Sequence, residues 1–326
     1  MMRAVVLAAI LLGTLGPAHT QQLPAGIPEP IFLWPQGAPG ALGQAEADKP
    51  RMYAFLPQKR STSTAVLVIP GGGYQHLAIG YEGVQIAGWL NTQGIPAFLL
   101  DYRVAPYHYP APVLDAERAM QLIREHAAEY GVDPHRIGVW GFSAGGHLAS
   151  TLATHCNAEA TPMPAPYASG ALDCRPDFAV LAYPVISMEP PLAHMGSRAN
   201  FLGPSPRAGL EHEYSNQFAV TKDTPPTFLF ATTNDPTVPV ENSLDFYRAL
   251  ERAHVPAELH LYDYANHGCG LCGSIAPLAT WPTLVRNWLV QRGWIPPDTP
   301  PAPQPMPNLP AWIDGMTGPG QFDGHW

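Results

Sequence analysis

The sequence predicts an α/β fold built on a mostly parallel sheet. Two observations carry this: short β-branched or aromatic runs alternate with helical patterns, and a Gly-x-Ser-x-Gly stands between an apolar strand and a small-residue helix. The runs are Ala65–Pro70, Pro96–Tyr102, Ile137–Gly141, Phe178–Tyr183, Thr227–Thr232 and Ala257–Tyr262. Between the second and third, Ala116, Ala119, Met120, Ile123 and Ala127 recur at helical spacing. Asp115 and Glu117 are expected in the first turn of that helix, where acids suit its dipole. A last helix carries Trp281, Leu284, Val285, Trp288 and Leu289, entered through Thr280 as a cap and Pro282.

The chain has 326 residues, 46% hydrophobic and 13% charged, enough apolar material for one large core. Met1-Met2-Arg3, the apolar stretch Ala4 to Gly13, and Gly16 to Thr20 read as a secretory signal, with cleavage after Ala18 or Thr20. The expected organisation is a signal peptide at 1–20, one domain over 21–295 and a Pro-rich tail at 296–326. Residues 184–223, rich in Pro, Gly and polar residues, are expected to form a lid-like insertion. The mature protein is expected to be secreted or periplasmic, without membrane insertion. A net charge of −9 and only 17 basic residues, unclustered, argue against a nucleic-acid partner.

Four cysteines in an exported chain suggest two disulfides, for which three connectivities exist. Cys156 ends the helix that starts at Ser143 and Cys174 precedes the next strand, so both belong at the bottom of the sheet. Cys269 and Cys272 share a loop at the top. The expected pairs are therefore Cys156–Cys174 and Cys269–Cys272, and a cross-pair in non-reducing peptide mapping would refute them. The Cys-x-x-Cys spacing also suits a redox or zinc half-site, but no second pair lies nearby. Neither metal nor cofactor is expected.

In Gly141-Phe142-Ser143-Ala144-Gly145 the serine sits on a sharp strand-to-helix turn and is the expected nucleophile. A serine needs a base within hydrogen-bond reach and an acid to orient that base. In open α/β sheets such groups come from loops at the carboxyl ends of strands. Asp235 follows the fifth run and His267 the sixth, giving the order Ser, Asp, His. Asp263 is a rival, but only four residues from His267 it is better suited to bracing the loop. Among 13 histidines, His260 falls inside a strand and His147 and His155 on the serine's helix, which marks them as structural.

Pro70-Gly71-Gly72-Gly73-Tyr74 follows a strand directly, and its glycines let main-chain N–H groups turn inward. Gly72 or Gly73, with Ala144, is expected to form an oxyanion hole. A phosphate cradle fits less well, because no Gly-Lys-Ser/Thr follows. Tyr74, Tyr81, Tyr107 and Tyr109 come near loop tops and could form a sugar-stacking rim, the alternative being packed or surface tyrosines.

Over roughly residues 30 to 295 these motifs resemble the α/β-hydrolase superfamily, in particular the esterase and lipase branch related to hormone-sensitive lipase and to bacterial acetyl xylan and feruloyl esterases. Pro70–Tyr74 is similar to the branch's His-Gly-Gly-Gly element, with Pro in first place. Tyr102-Arg103-Val104-Ala105-Pro106, then Pro110 and Asp115, resembles the segment after the family's fourth strand. The resemblance implies a twisted, mostly parallel sheet with helices on both faces. It implies a serine carboxylesterase acting on short acyl esters, such as acetyl groups on xylan-type polysaccharides or oligosaccharides.

Cys269-Gly270-Leu271-Cys272 departs from the aromatic residue many relatives carry there. No long helical cap precedes the first strands, which implies an open site suited to a bulky polymer. Similar proteins often carry xylanase-type names, but backbone cleavage uses two positioned carboxylates, which the sequence does not offer. Peptide hydrolysis of the prolyl-peptidase kind is an alternative, though those relatives bring a separate gating domain. A catalytically silent binding protein is another, set against an intact Ser-His-Asp set.

Overall fold

The six apolar runs form the parallel part of one eight-stranded sheet in the computed structural model, which describes residues 27–156, 163, 167 and 173–297. The strands are β1 (Pro30–Phe32), β2 (Arg51–Phe55), β3 (Ala65–Ile69), β4 (Ala97–Asp101), β5 (Ile137–Phe142), β6 (Ala179–Ala182), β7 (Thr227–Thr232) and β8 (Ala257–Tyr262). Their order across the sheet is β1-β2-β4-β3-β5-β6-β7-β8. From β4 to β8 every pairing is parallel, whereas β1 pairs β2, and β2 pairs β4, in antiparallel fashion.

The helices are α1 (Gln85–Thr92), α2 (Ala111–Glu125), α3 (Ala127–Tyr130), α4 (Ser143–His155), α5 (Met195–Leu202), α6 (Leu210–Glu213), α7 (Glu241–Arg252) and α8 (Trp281–Gln291). All residues of β3, β5, β6 and β7 are buried, which is why each reads as a continuous apolar run rather than an alternation. An aromatic cluster joins α8 to the sheet: Trp281 stacks on Phe230 at 4.6 Å between centroids and stands edge-on to Trp140 at 5.4 Å. The expected signal peptide and the expected tail from residue 298 lie outside the described residues.

Two local expectations are corrected. Thr280 precedes α8 but makes no side-chain cap; its hydroxyl meets Tyr262 Oη at 2.8 Å instead. Pro282 does sit in the first turn. The helix expected to begin near Asp115 begins at Ala111, so Asp115 is past the first turn and serves no dipole. It is fully buried, as is the Arg103 side chain that grips it. Arg103 Nε donates to Oδ2 at 2.8 Å and Nη2 to Oδ1 at 2.7 Å, while the Arg103 backbone N–H (3.1 Å) and Trp34 Nε1 (2.8 Å) complete the shell. This bidentate pair ties the segment after β4 to α2 and to the N-terminal residues.

Residues 184–223 contain α5, α6 and a 3-10 turn at Asn216–Phe218, and they are bolted to α4. Asn216 Nδ2 reaches His147 O, Ser150 Oγ and Thr151 Oγ1 at 3.1, 2.7 and 3.0 Å. His147 itself is fully buried, with Nε2 2.8 Å from Tyr214 O and Nδ1 2.8 Å from Tyr74 Oη. A carbonyl only accepts, so Nε2 carries the proton and Nδ1 accepts from the tyrosine.

Removing Asp115 would strand a buried guanidinium. Asp115→Ala is expected to cost about 3–5 kcal/mol in urea unfolding, and an unchanged midpoint would contradict this account of the pair. Burial pushes the His147 pKa down from 6.5 to about 4. The unfolded chain therefore takes up a proton near pH 6.5 while the folded chain stays neutral, so the stability His147 contributes is present above that pH and lost as pH falls toward 4. His147→Gln should flatten the fall of unfolding free energy between those values; an identical slope would rule the effect out.

Candidate active site

No loop separates β5 from α4: the strand ends at Phe142 and the helix starts at Ser143. So sharp a turn puts Ser143 at φ +49°, a left-handed conformation that non-glycine residues adopt only when surroundings enforce it. The flanking glycines explain how. A Cβ on Gly145 would lie 2.2 Å from Ile69 O and 2.5 Å from Pro70 O, and one on Gly141 2.4 Å from Gly145 O. Without side chains at those positions, α4 presses directly onto the ends of β3 and β5.

The other two residues arrive on neighbouring loops. β7 and β8 pair in parallel with Thr232 opposite Tyr262, so the loops leaving them run side by side. Thr232 Oγ1 donates to Asn266 O at 2.7 Å and Asn234 N–H to Tyr264 O at 3.1 Å. Asp235 thereby meets His267: Oδ2 lies 2.7 Å from Nδ1, and Nε2 lies 2.7 Å from Ser143 Oγ. The second carboxylate oxygen of Asp235 accepts from the N–H groups of Thr237 (2.8 Å) and Val238 (2.9 Å). Held this way, the carboxylate accepts the hydrogen bond from Nδ1–H, which keeps the proton on Nδ1 and leaves the Nε2 lone pair facing the serine hydroxyl. The rival Asp263 accepts from Asn234 Nδ2 at 3.3 Å and braces the loop.

The glycine loop closes the third side. Gly72 and Gly73 have φ +123° and +65°, and a Cβ on Gly71 would fall 2.9 Å from Ser143 Cβ. Asn200 Nδ2, from α5, donates to Gly73 O at 2.9 Å, and Ala105 N–H donates to Tyr74 O at 2.8 Å. Ala144 stands in the first turn of α4, where backbone N–H groups have no partner within the helix. A serine hydroxyl within hydrogen-bond reach of an imidazole, beside a glycine loop and the first turn of a helix, is suited to attack on a carbonyl carbon.

The tyrosine rim needs correction. Tyr74 is wholly buried, turned inward by φ +57° to bond His147, so it cannot stack on a ligand. Tyr107 is likewise buried: its hydroxyl donates to Asp48 Oδ1 and accepts from Leu42 N–H at 2.8 Å. Tyr109 is half-buried between Phe201 and Tyr214. Tyr81 is half-buried, its hydroxyl close to Gly268 beside the histidine. His155 bonds Thr154 Oγ1 and Glu213 O, and His260 lies against Phe228.

The cysteines pair as Cys156–Cys174 and Cys269–Cys272, with Cα atoms 5.5 and 4.7 Å apart. Among the described residues, the one group of three potential metal ligands is Cys156, Asp173 and Cys174, and both of its sulfurs are held in a disulfide.

Two residues near the serine escaped sequence reasoning. His194 caps α5 by accepting from Ser197 N–H at 3.2 Å and lies beside Gly73; burial and the nearby His267 push its pKa down, against the pull of Asp235. Glu82 is buried, bonding Gly71 N–H and the Tyr183 hydroxyl. Burial raises its carboxyl to about 7, against the lowering by those two donors and by His267. The available signal for Glu82 was a lone acid in the apolar stretch from Leu77 to Ile86.

The BD-FAE family model matches residues 52–250. A solved acetyl ester-xyloside bifunctional hydrolase from Caldicellulosiruptor lactoaceticus is 40% identical with a TM-score of 0.75, over 83% of this chain and 99% of that one. The acetylxylan esterase of Xylanibacter ruminicola is 36% identical over 70% of this chain and 45% of its own length. Endo-1,4-beta-xylanase B of Butyrivibrio fibrisolvens is 34% identical over 67% of this chain and 34% of its length. The matched segment thus spans less than half of these two curated relatives. With more than half of its length matched by the family model and a solved relative aligned almost end to end, the chain belongs to the BD-FAE family of α/β-hydrolase esterases.

Proposed function

We propose that this protein is a secreted serine carboxylesterase that removes short acyl groups, acetyl above all, from xylan-type polysaccharides or their oligomers. The observation that carries the reading is the continuous array Ser143 Oγ–His267 Nε2 and His267 Nδ1–Asp235 Oδ2, each link 2.7 Å. His267 takes the hydroxyl proton as Ser143 Oγ attacks the ester carbonyl, and Asp235 stabilises the imidazolium that results. The carbonyl oxygen becomes an oxyanion held by Ala144 N–H and by Gly72 or Gly73 N–H. Collapse breaks the bond to the alcohol, which leaves with the proton from His267. Water then attacks the acyl-enzyme with His267 again as base, releasing the acid and restoring Ser143.

The acetyl-xylan preference is supported by the relatives named for acetylxylan and acetyl ester-xyloside hydrolysis. Export is supported by the N-terminal signal pattern and by two disulfides, which persist in oxidising compartments. Among the described residues no helix is long and apolar enough to cross a membrane. We also assign residues 184–223 a role at the mouth of the site, since α5 reaches the glycine loop through Asn200.

Acetate release from acetylated xylo-oligosaccharides tests the reading. The wild-type protein should release acetate, and Ser143→Ala should lose at least about 10³-fold in kcat; a Ser143→Ala protein with near wild-type turnover would overturn it. Asp235→Asn is expected to lower kcat by several orders of magnitude with little change in KM, because the imidazole loses the partner that sets its tautomer. A pure KM effect would instead place Asp235 in substrate binding.

A further inference from the structure

The glycine loop and the histidine loop leave strands far apart in the sheet, yet both are tied to one buried acid. Glu82 lies in a π-helical turn, Gly80–Val84, of a kind frequent at functional sites. Its Oε2 accepts from Gly71 N–H at 2.8 Å and its Oε1 from the Tyr183 hydroxyl at 2.9 Å. The same Tyr183 oxygen accepts from Gly270 N–H at 2.8 Å, three residues past His267. Counting hydrogens shows which state of Glu82 these contacts suit. Gly270 already points its hydrogen at Tyr183 Oη, so the tyrosine's own proton must go to Glu82, and a carboxylate receives both donors. A neutral acid would leave one hydrogen without an acceptor.

The parts around the acid have no slack. A Cβ on Gly71 would meet Phe142 O at 2.7 Å and Glu82 Oε2 at 2.8 Å, and one on Gly270 would meet Tyr81 O at 2.4 Å. The Tyr183 ring stands edge-on to His267, centroids 5.0 Å apart. Tyr183 itself sits at φ +38°, a backbone region that a bulky residue occupies only under constraint.

We propose that Glu82 is a positioning residue that fixes the glycine loop and the His267 loop relative to each other across Ser143, through Gly71 on one side and Tyr183 with Gly270 on the other. The assignment rests on the ester-hydrolase reading above. Negative charge develops on the glycine-loop side of the reacting carbon while His267 gains a proton on the other, so the distance between the loops bears on the transition state rather than on ground-state binding. Glu82 faces Tyr81, Tyr102, Tyr183 and His267, and the three phenols stay neutral because their pKa values are raised. With its carboxyl at about 7, the anchor is intact above neutral pH and weakened as the acid protonates below it. Glu82→Gln imitates the protonated form at every pH.

The test compares wild type, Ser143→Ala, Glu82→Gln and Tyr183→Phe on nitrophenyl acetate from about pH 5 to 9, with circular dichroism to establish that each is folded. Above neutral pH, Glu82→Gln and Tyr183→Phe are expected to lose roughly ten- to hundredfold in kcat with KM changed less than about threefold. The wild-type to Glu82→Gln ratio of kcat should shrink as pH falls below about 7, an effect that general destabilisation would not produce. If folded Glu82→Gln and Tyr183→Phe both match the wild-type kcat and pH profile, the positioning role is wrong. Should Glu82→Gln fail to fold, Tyr183→Phe decides alone, since it removes one hydroxyl and keeps the ring against His267. Absence of Ser143-dependent turnover in the wild type would instead refute the hydrolase reading itself.

Discussion

The passage from β5 to α4 without an intervening residue is the constraint on which the rest of the architecture depends. It forces Ser143 into a left-handed conformation, a strain on the order of 1–3 kcal/mol. That strain persists because α4 is buried from Ser143 through Ala153 and its first turn lies against β3 and Pro70. Gly141 and Gly145 allow this approach, and the approach brings the loop after β3 alongside the serine. The glycine loop, the first turn of α4 and the serine are therefore placed by one packing event.

Around that fixed point, three acids and a histidine are matched closely to partners. Asp235 has its histidine on one oxygen and two backbone N–H groups on the other. Asp115 receives Arg103 and Trp34, and Glu82 receives Gly71 and Tyr183. His147 uses both nitrogens to tie Tyr74, next to the glycine loop, to Tyr214 in the 184–223 segment. Most of these groups also join different elements, as Asp235 joins His267, Trp34 joins Asp115 and Glu82 joins Tyr183, so together they set loop positions that the sheet alone would leave free. A buried polar group with its partners made contributes modestly to stability, but losing one partner is costly, which makes such groups sharp determinants of geometry.

What the sequence revealed follows from which physical signals are local. The central strands β3 to β7 were legible because burial on both faces demands continuous apolar runs, as in Ala65–Ile69, whereas β8, only partly buried at the sheet edge, shows in the sequence as an apolar-polar alternation. β1 and β2 were not, because one is three residues long and the other is half-buried beside it, held by antiparallel pairing to β4. Ser143, Asp235 and His267 could be picked out because strand ends and chain order are topological facts that survive in one dimension. The direction of a side chain does not survive in that way. Tyr74 follows the glycine loop immediately, yet a positive φ turns its ring into the core, and Tyr107 is drawn in by Asp48. Glu82 stood out only as a lone acid in an apolar stretch, and its role was beyond reach for another reason: its partners lie 11 and 101 residues away and become neighbours only in the folded chain.

The central claim is that Ser143, His267, Asp235 and the backbone amides form one reacting centre. A crystal structure of the protein after exposure to a short-chain alkyl nitrophenyl phosphonate tests this most directly, since the bound group copies the tetrahedral intermediate. The account predicts phosphorus bonded to Ser143 Oγ, with the phosphoryl oxygen about 2.7–3.1 Å from Ala144 N–H and from Gly72 or Gly73 N–H. Phosphorus on a different residue, or a phosphoryl oxygen turned away from those amides toward solvent, would contradict it.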